Sequence, residues 1–128
     1  MTYKVGSIGW VDLTVDDADG IRDFYKAVVG WEAKPHAMGE YNDYDISNAD
    51  GEVVTGICHK RGINADIPSQ WMIYIVVADV DASVKTVIEQ GGEVVSPAKQ
   101  MGDGKVVIIK DPAGAVCALM EVTEEQAE

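Results

Sequence analysis

The segment that decides the fold is "IGWVDLTV", residues 8–15, which runs directly into "DDADGIRDFYKAVVGW", residues 16–31. Successive side chains of an extended strand point to opposite faces. One face of residues 8–15 is therefore aliphatic, and the other carries an indole, a carboxylate and a hydroxyl. The aliphatic face consists of Val11, Leu13 and Val15, and the polar face of Trp10, Asp12 and Thr14. We interpret the first face as packing under another element and the second as the wall of a cavity.

The second part of this segment has the pattern of an amphipathic helix. Ile21, Phe24, Tyr25 and Val28 follow the i, i+3, i+4, i+7 spacing of one helical face. Asp16 or Asp17 can cap the start of the helix, and Gly30 can end it in the left-handed conformation. The segment therefore predicts a strand followed by a helix of about three turns.

The same arrangement recurs 62 residues later, in "WMIYIVVADVDASVKTVIEQGGEVVSP", residues 71–97. This offset places Trp10 on Met72, Asp17 on Asp79 and Gly30 on Gly92. Each copy is followed by three short β-type runs, and a turn precedes the last run in both copies. These runs are residues 33–38, 41–48 and 52–60 in the first copy, and 93–100, 105–111 and 115–122 in the second. The chain is thus predicted to be an internal duplication.

The predicted fold class is α+β, with two tandem β-α-β-β-β modules forming curved mixed sheets around a cavity. The whole chain, residues 1–128, is expected to be a single domain. Module one spans about residues 5–60, a linker about 61–70 and module two about 71–122, followed by an acidic tail at 123–128.

Composition excludes several classes of function. The net charge of −12 argues against a nucleic-acid or anionic membrane partner, because such surfaces bind clustered Lys and Arg side chains. The start of the chain lacks an apolar signal region, and no run is long enough to span a bilayer. Two cysteines, Cys58 and Cys117, are too few for a disulfide scaffold. A cytoplasmic location is the expectation.

The blocks "WVDLTVDDADGIRDFYKAVVGWE", "VADVDASVKTVIEQGGEV" and "IKDPAGAVCALMEV" resemble the vicinal oxygen chelate superfamily. This superfamily includes glyoxalase I, bleomycin-resistance proteins, fosfomycin-resistance enzymes and extradiol dioxygenases. The tryptophan in "W-x-D-L" is similar to that of a glyoxalase-related subgroup with no assigned function. The resemblance implies paired β-α-β-β-β modules over nearly the whole chain, but it does not specify one reaction.

In the metal enzymes of this superfamily, His, Glu or Gln side chains from the first and last strands of both modules hold a divalent ion. Carried over by the resemblance, these positions fall on Trp10, on Thr55 or Gly56, on Met72 and on Ala118. None of these side chains is a good ligand for such an ion. We therefore expect no cofactor, although a divalent metal held by other residues stays open.

The candidate ligand-binding residues are those expected to face the cavity. They are Trp10, Asp12, Thr14, His59, Met72, Tyr74 and Met120. Asp12 is the candidate acid or base, and Tyr74 the candidate hydroxyl donor, with Tyr41 and Tyr44 as further donors. The alternative is structural, since a buried carboxylate is usually paired and Met72 can simply fill a small barrel.

His59 faces the cavity only if the strand register is right. Taking Gly51 and Gly114 as equivalent turn residues gives His59 the parity of Met120. A slip of one residue turns His59 outward and brings Cys58 to the cavity instead.

Three functions are compatible with these observations. The first is a glyoxalase/bleomycin-resistance-like protein that binds a cationic or planar aromatic small molecule without the usual metal ligands. The second is a metal-independent lyase or isomerase that uses Asp12. The third is a metal enzyme with relocated ligands, such as Asp12 and His59. A homodimer is expected, because modules of this superfamily often pair across two chains.

Overall fold

The computed structural model describes residues 4–101 and 104–121, so the predicted acidic tail at 123–128 lies outside the described residues. The elements are β1 (Ile8–Val15), α1 (Ala18–Val29), β2 (Glu32–Ala37), β3 (Asn42–Ser47), β4 (Val53–His59), a short 3₁₀ turn (Gly62–Asn64), β5 (Trp71–Val77), α2 (Val80–Glu89), β6 (Glu93–Met101), β7 (Gly104–Lys110) and β8 (Val116–Glu121). The α+β class is confirmed, and each half follows the predicted order of one strand, one helix and three strands.

The chain divides into two compact units. The first unit is Val11–Trp71, and the second unit is Met1–Trp10 together with Met72–Glu128. β1 therefore begins in the second unit and continues into the first. At this beginning, the amide of Gly6 donates to the carbonyl of Val76 at 2.8 Å, and the amide of Val76 donates to Ser7 at 2.8 Å.

Both units use the same strand pairing. In the first unit the order is β2-β3-β4-β1, and in the second it is β5-β8-β7-β6. The β1/β4 and β5/β8 pairs are parallel, whereas the other pairs are antiparallel. Leu13 pairs with Ile57, and Ile75 pairs with Leu119, so the 62-residue offset holds through these strands.

The helices begin and end at the residues that the sequence favours. The Asp17 side chain accepts from the Gly20 amide at 3.0 Å, and Asp79 accepts from the Ala82 amide at 3.2 Å. Gly30 ends α1 with a φ of 83°, a left-handed value that favours glycine. After α2 the left-handed residue is Gly91, one position earlier than the offset predicts.

Each helix covers the aliphatic face of its own sheet. In the first unit Ala18, Tyr44, Ile46 and Ile57 form the buried core under α1, and Val15 packs against it. In the second unit the core under α2 is formed by Val80, Val107, Ile109 and Leu119, with Ile75 and Val77 packed against it. Val15, Ile75 and Val77 thus lie on the helix side, as strand alternation predicts, whereas Ile73 at the start of β5 is exposed.

β4 differs from β8 by one extra residue. Ile46 pairs with Thr55, but Ser47 pairs with Val53, so a β-bulge at Val54 shifts the register. β7 and β8 pair without such a shift. Because of the bulge, Gly51 and Gly114 do not hold equivalent positions. The prediction of which β4 side chains face the cavity, which took these glycines as equivalent, is therefore wrong by one residue.

Candidate functional site

The face of the first unit's sheet opposite α1, called here the acidic face, is lined by two rows of side chains. Strand pairing and alternation place Asp12, Gly56, Asp45 and Lys34 in one row, and Thr14, Cys58, Asp43 and His36 in the other. Asp12 and Thr14 thus share the face predicted for them. Three carboxylates on one small sheet make this surface strongly negative.

Cys58 shows the effect of these carboxylates. Burial is the largest cause that raises the pKa of its thiol, and the charges of Asp12 and Asp43 add to it. A thiol under these conditions stays protonated at neutral pH, whereas thiolate is the nucleophilic form. Cys58 therefore acts as a small, partly buried side chain and not as a nucleophile.

His59 lies on the other face of this sheet, beside α1. Its Nδ1 lies 2.8 Å from the Asn42 carbonyl oxygen, its Nε2 lies 3.9 Å from the Asp19 carboxylate, and its ring is 5.4 Å from that of Tyr41. The prediction that His59 faces the same cavity as Asp12 is wrong, because the bulge at Val54 reverses the parity of β4. Cys58 lies on the acidic face instead, as expected for a register slip of one residue.

The helix side of the first unit also holds a polar cluster that the sequence pattern did not reveal. The Tyr44 hydroxyl donates a short hydrogen bond to Asp19, and the Arg22 guanidinium lies 4.6 Å from the centre of the Tyr44 ring. The hydrogen bond to Asp19 is the main reason that the pKa of Tyr44 is raised. Tyr44 and Asp19 are 25 positions apart, and no local spacing signals such a contact. Tyr44 is therefore a structural hydroxyl and not a donor on the acidic face.

The corresponding face of the second unit, called here the apolar face, has a different character. Strand pairing aligns Tyr74, Ala118, Ile108 and Ser96 in one row, and Val76, Met120 and Val106 in the next. Tyr74 thus lies on the same face as Met120, and alternation along β5 adds Met72. Met72 is fully buried and Tyr74 is 5% exposed, whereas Met120 is partly exposed. Trp10 is also partly exposed, and alternation along β1 puts its side chain on the side of Asp12 and Thr14.

Ser96 is a functional candidate that the sequence analysis missed. Its side chain is 1% exposed, and its Oγ has no hydrogen-bond partner among the described residues. It pairs with Ile108 and so faces the apolar side of the sheet. A buried hydroxyl without a partner is costly and requires an explanation. The sequence signal is a serine that directly follows Val94 and Val95 in β6.

The residues at the superfamily's metal positions do not fit a divalent ion. Thr55 lies on the helix side and donates to the Val11 carbonyl at 2.6 Å, so the position left open in β4 is Gly56. The set is then an indole, a hydrogen atom, a thioether and a methyl group, from Trp10, Gly56, Met72 and Ala118. Within residues 4–101 and 104–121, no three His, Cys, Asp or Glu side chains form a group that could hold a metal. These four side chains therefore do not suit the metal chemistry of the superfamily.

Comparison with known proteins decides the family. The family model described as Glyoxalase/Bleomycin resistance protein/Dioxygenase superfamily matches residues 7–119. The chain belongs to this superfamily. Neither α1 nor any other helix within the described ranges is long and apolar enough to cross a bilayer.

The relatives of this superfamily member include longer proteins. "Putative glyoxylase CFP32" of Mycobacterium tuberculosis is 35% identical over 122 residues, which are 93% of this chain and 47% of the relative. "Anthracycline biosynthesis protein DnrV" of Streptomyces peucetius is 29% identical over 124 residues, 97% of this chain and 44% of the relative. This superfamily member thus spans about half the length of the curated relatives it matches.

A solved structure supports the fold. Methylmalonyl-CoA epimerase from Mycobacterium tuberculosis matches this superfamily member with a TM-score of 0.57 and 17% identity, over 98% of this chain and 93% of the epimerase. At this identity the likeness establishes a shared fold, and the substrate does not transfer with it.

Proposed function

We propose that this chain binds a small organic molecule with a planar aromatic body and a cationic group, without the metal chemistry of its superfamily. The observation that carries this proposal is the donor-free set at the four metal positions, with Trp10 and Met72 among them. An indole and a thioether are poor ligands for a hard ion, but both make favourable contacts with an aromatic ring.

The binding surface in this proposal is the apolar face of the second unit. Trp10 and Met120 are partly exposed and make the first contacts. Met72 and Tyr74 are buried in the free chain, so a ligand reaches them only by displacing the side chains that cover them. The unpartnered hydroxyl of Ser96 then supplies a hydrogen bond to the bound molecule.

The charge of the ligand is argued from the charge of the chain. A net charge of −12 attracts cations and repels polyanions such as coenzyme A thioesters. Anthracycline biosynthesis proteins are among the relatives, and anthracyclines are fused-ring aromatic molecules. Both points favour an aromatic cation over the kind of substrate named for methylmalonyl-CoA epimerase.

Isothermal titration with doxorubicin, a fused-ring aromatic compound whose sugar carries a protonated amine, tests the proposal. We expect binding by the unaltered chain, and a loss of at least about tenfold in affinity for Trp10→Leu. Trp31→Leu is the matched control, because Trp31 packs against the helix-side core of the first unit. Equal affinities of the two variants, both shown to be folded by circular dichroism, would contradict the assignment of this face.

Metal loading tests the other half of the proposal. Untagged protein is incubated with Ni²⁺, Zn²⁺, Mn²⁺, Fe²⁺ or Co²⁺, desalted and analysed by elemental mass spectrometry. We expect less than stoichiometric retention of every ion. Retention of one ion per chain would show that other residues replace the usual ligands.

A metal-independent lyase or isomerase is the second candidate function. Asp12 lies on the acidic face beside Gly56, where a missing side chain leaves space next to the carboxylate. In this proposal Asp12 acts as the acid or base of the reaction. The assay is turnover of methylglyoxal with a thiol, and unchanged turnover by Asp12→Asn would exclude the named base.

The version with metal ligands relocated to Asp12 and His59 is not supported. Asp12 lies on the acidic face, and His59 lies on the helix side of the same sheet. One ion cannot bind both side chains across a β-sheet.

A homodimer in the cytoplasm remains part of the proposal. Phe24, Val28 and Val29 of α1 are more than half exposed and provide apolar surface for a second copy. Size-exclusion chromatography with light scattering tests this point, and a monomer at high micromolar concentration would contradict it.

A further inference from the structure

A groove of about 550 Å³ runs along α2 on the helix side of the second unit. This α2 groove is separate from the apolar face, since Ile109 and Leu119 of the helix-side core form its floor. Its wall is one side of α2, including Ala82, Ser83 and Thr86. The lining surface is mainly apolar, and the volume lies in the range of small-molecule sites.

The internal duplication shows what fills the same position in the first unit. With the 62-residue offset, Ser83 corresponds to Ile21, Thr86 to Phe24 and Val87 to Tyr25. In the first unit Ile21 and Tyr25 pack onto the buried core together with Trp31. The Tyr25 ring also lies 5.5 Å from that of Trp71. The Trp71 indole N–H donates a hydrogen bond to the Tyr25 hydroxyl at 3.2 Å, which holds the two rings together.

The floor of the α2 groove reflects the smaller side chains above it. Ile57 is the counterpart of Leu119 by the 62-residue offset, and Ile46 is the counterpart of Ile109 by strand pairing, since their partners Thr55 and Cys117 are related by this offset. Ile109 and Leu119 are 8% and 7% exposed, whereas Ile46 and Ile57 are 1% and 0% exposed. Both units therefore have the same sheet and the same helix position. Among the described residues, the side chains that pack this space in the first unit have smaller counterparts in the second, so the space beside α2 stays open to a ligand.

Charge at the edge of the α2 groove restricts this occupant. The charged side chains among the lining residues are Asp79 and Asp111, and no Lys or Arg belongs to the lining. Both aspartates are exposed. Lys105, a basic residue on the helix side of this unit, is held by Asp81 at 3.0 Å. A second copy of this acidic chain would bring like charge to this edge, whereas an organic cation would not.

We propose that the α2 groove is a second ligand site, which binds a small apolar molecule bearing an amine. The apolar body lies over Ile109 and Leu119, and the ammonium group lies between the carboxylates at the edge. Ser83 and Thr86 provide hydroxyls on the wall. This site does not depend on the ligand proposed for the apolar face.

Dansylcadaverine, an apolar amine, is the probe that tests the proposal, and dansylglycine supplies the same fluorophore with a negative charge. We expect dansylcadaverine to bind with increased fluorescence, and dansylglycine to bind at least about tenfold more weakly. In ¹⁵N-labelled protein the amine should shift the amide resonances of α2 and Leu119. Shifts confined to Tyr74 and Met120 would place the probe on the apolar face and overturn the proposal.

The decisive variant is Ser83→Ile with Val87→Tyr, which copies onto α2 the two α1 side chains that pack on the core of the first unit. Because α1 carries these residues at the same helical positions, the variant should fold, and thermal melting followed by circular dichroism verifies this. We expect at least a tenfold loss of dansylcadaverine affinity. Ala27→Phe is the control, since it adds an exposed ring to α1 outside the groove. Undiminished binding by the folded double variant, or equal binding of both probes, would overturn the proposal.

Discussion

Ser96→Ala should stabilise this protein, although it removes a polar group from a strand. The side chain is 1% exposed, and its Oγ has no partner among the described residues. A buried hydroxyl that makes no hydrogen bond costs about 1–3 kcal/mol of folding free energy. Alanine removes that cost and leaves the backbone pairing of Ser96 with Ile108 in place.

The expected gain can be converted into a melting temperature. With an unfolding entropy of about 2.1 cal/mol/K per residue, a chain of 128 residues has about 0.27 kcal/mol/K. A gain of about 1 kcal/mol then raises the Tm by about 4 °C. Calorimetry gives the Tm, and urea unfolding gives the free energy.

Thr55→Val is the matched control for Ser96→Ala. Thr55 is also buried, at 3% exposure, but its hydroxyl donates to the Val11 carbonyl at 2.6 Å. Valine has the same shape and leaves that carbonyl without its donor, so we expect a loss of about 1–2 kcal/mol. A loss of stability in Ser96→Ala as large as that in Thr55→Val would refute the reasoning, because it would show that the Ser96 hydroxyl is bonded in solution.

Three further predictions follow from single contacts. Tyr44 should have a pKa above the ordinary tyrosine value, because its hydroxyl donates to Asp19. The hydrogen bond stabilises the folded state below the pKa of tyrosine in the unfolded chain, and this stabilisation is lost as pH rises through the pKa of Tyr44 in the folded chain. The difference in unfolding free energy between the parent and Tyr44→Phe, measured in urea, should therefore shrink at high pH. Cys58 should react slowly with iodoacetamide at pH 8, and Asp12→Asn should speed the reaction, since the Asp12 charge helps to raise the thiol pKa; a rate equal to that of free cysteine would contradict this. Gly92→Ala should cost about 1–3 kcal/mol in urea unfolding, because its Cβ would lie 2.8 Å from the Lys110 carbonyl oxygen and from Val87 Cγ1; unchanged stability would show that this contact relaxes freely.

The predictable part of the fold follows from patterns with a local cause. Helix packing requires one apolar face per strand, so alternation in residues 8–15 predicts which side chains of β1 lie on the helix side. Asp16 or Asp17 is the predicted cap of α1, because a carboxylate satisfies free amides at a helix start. Asp17 takes this place, and Asp79, which the 62-residue offset aligns with it, caps α2 in the same way. The contrast between Ile21 and Ser83 is also visible in the aligned halves, although its effect on the α2 groove needs the packed structure.

The unpredicted part depends on contacts between distant residues. The bulge at Val54 adds one residue to β4 without an unusual sequence, and this alone placed His59 on the wrong face. Tyr44 and Asp19 are too far apart in sequence for a local pattern to pair them. The sequence also does not show that the Ser96 hydroxyl is buried without a hydrogen-bond partner among the described residues. The residues proposed to bind the ligand on the apolar face stay a prediction.

The path of β1 has a consequence for how the chain folds during synthesis. Gly6 and Ser7 bond to Val76, so residues that precede the first unit belong to a unit whose remaining strands follow residue 71 and are synthesised later. The first unit, Val11–Trp71, is continuous and can form while translation proceeds, whereas the second unit needs segments on both sides of the first. Pairings of such long sequence separation form slowly. Deleting residues 4–8 should therefore slow the folding of the second unit more than that of the first unit, although the deletion directly precedes the first.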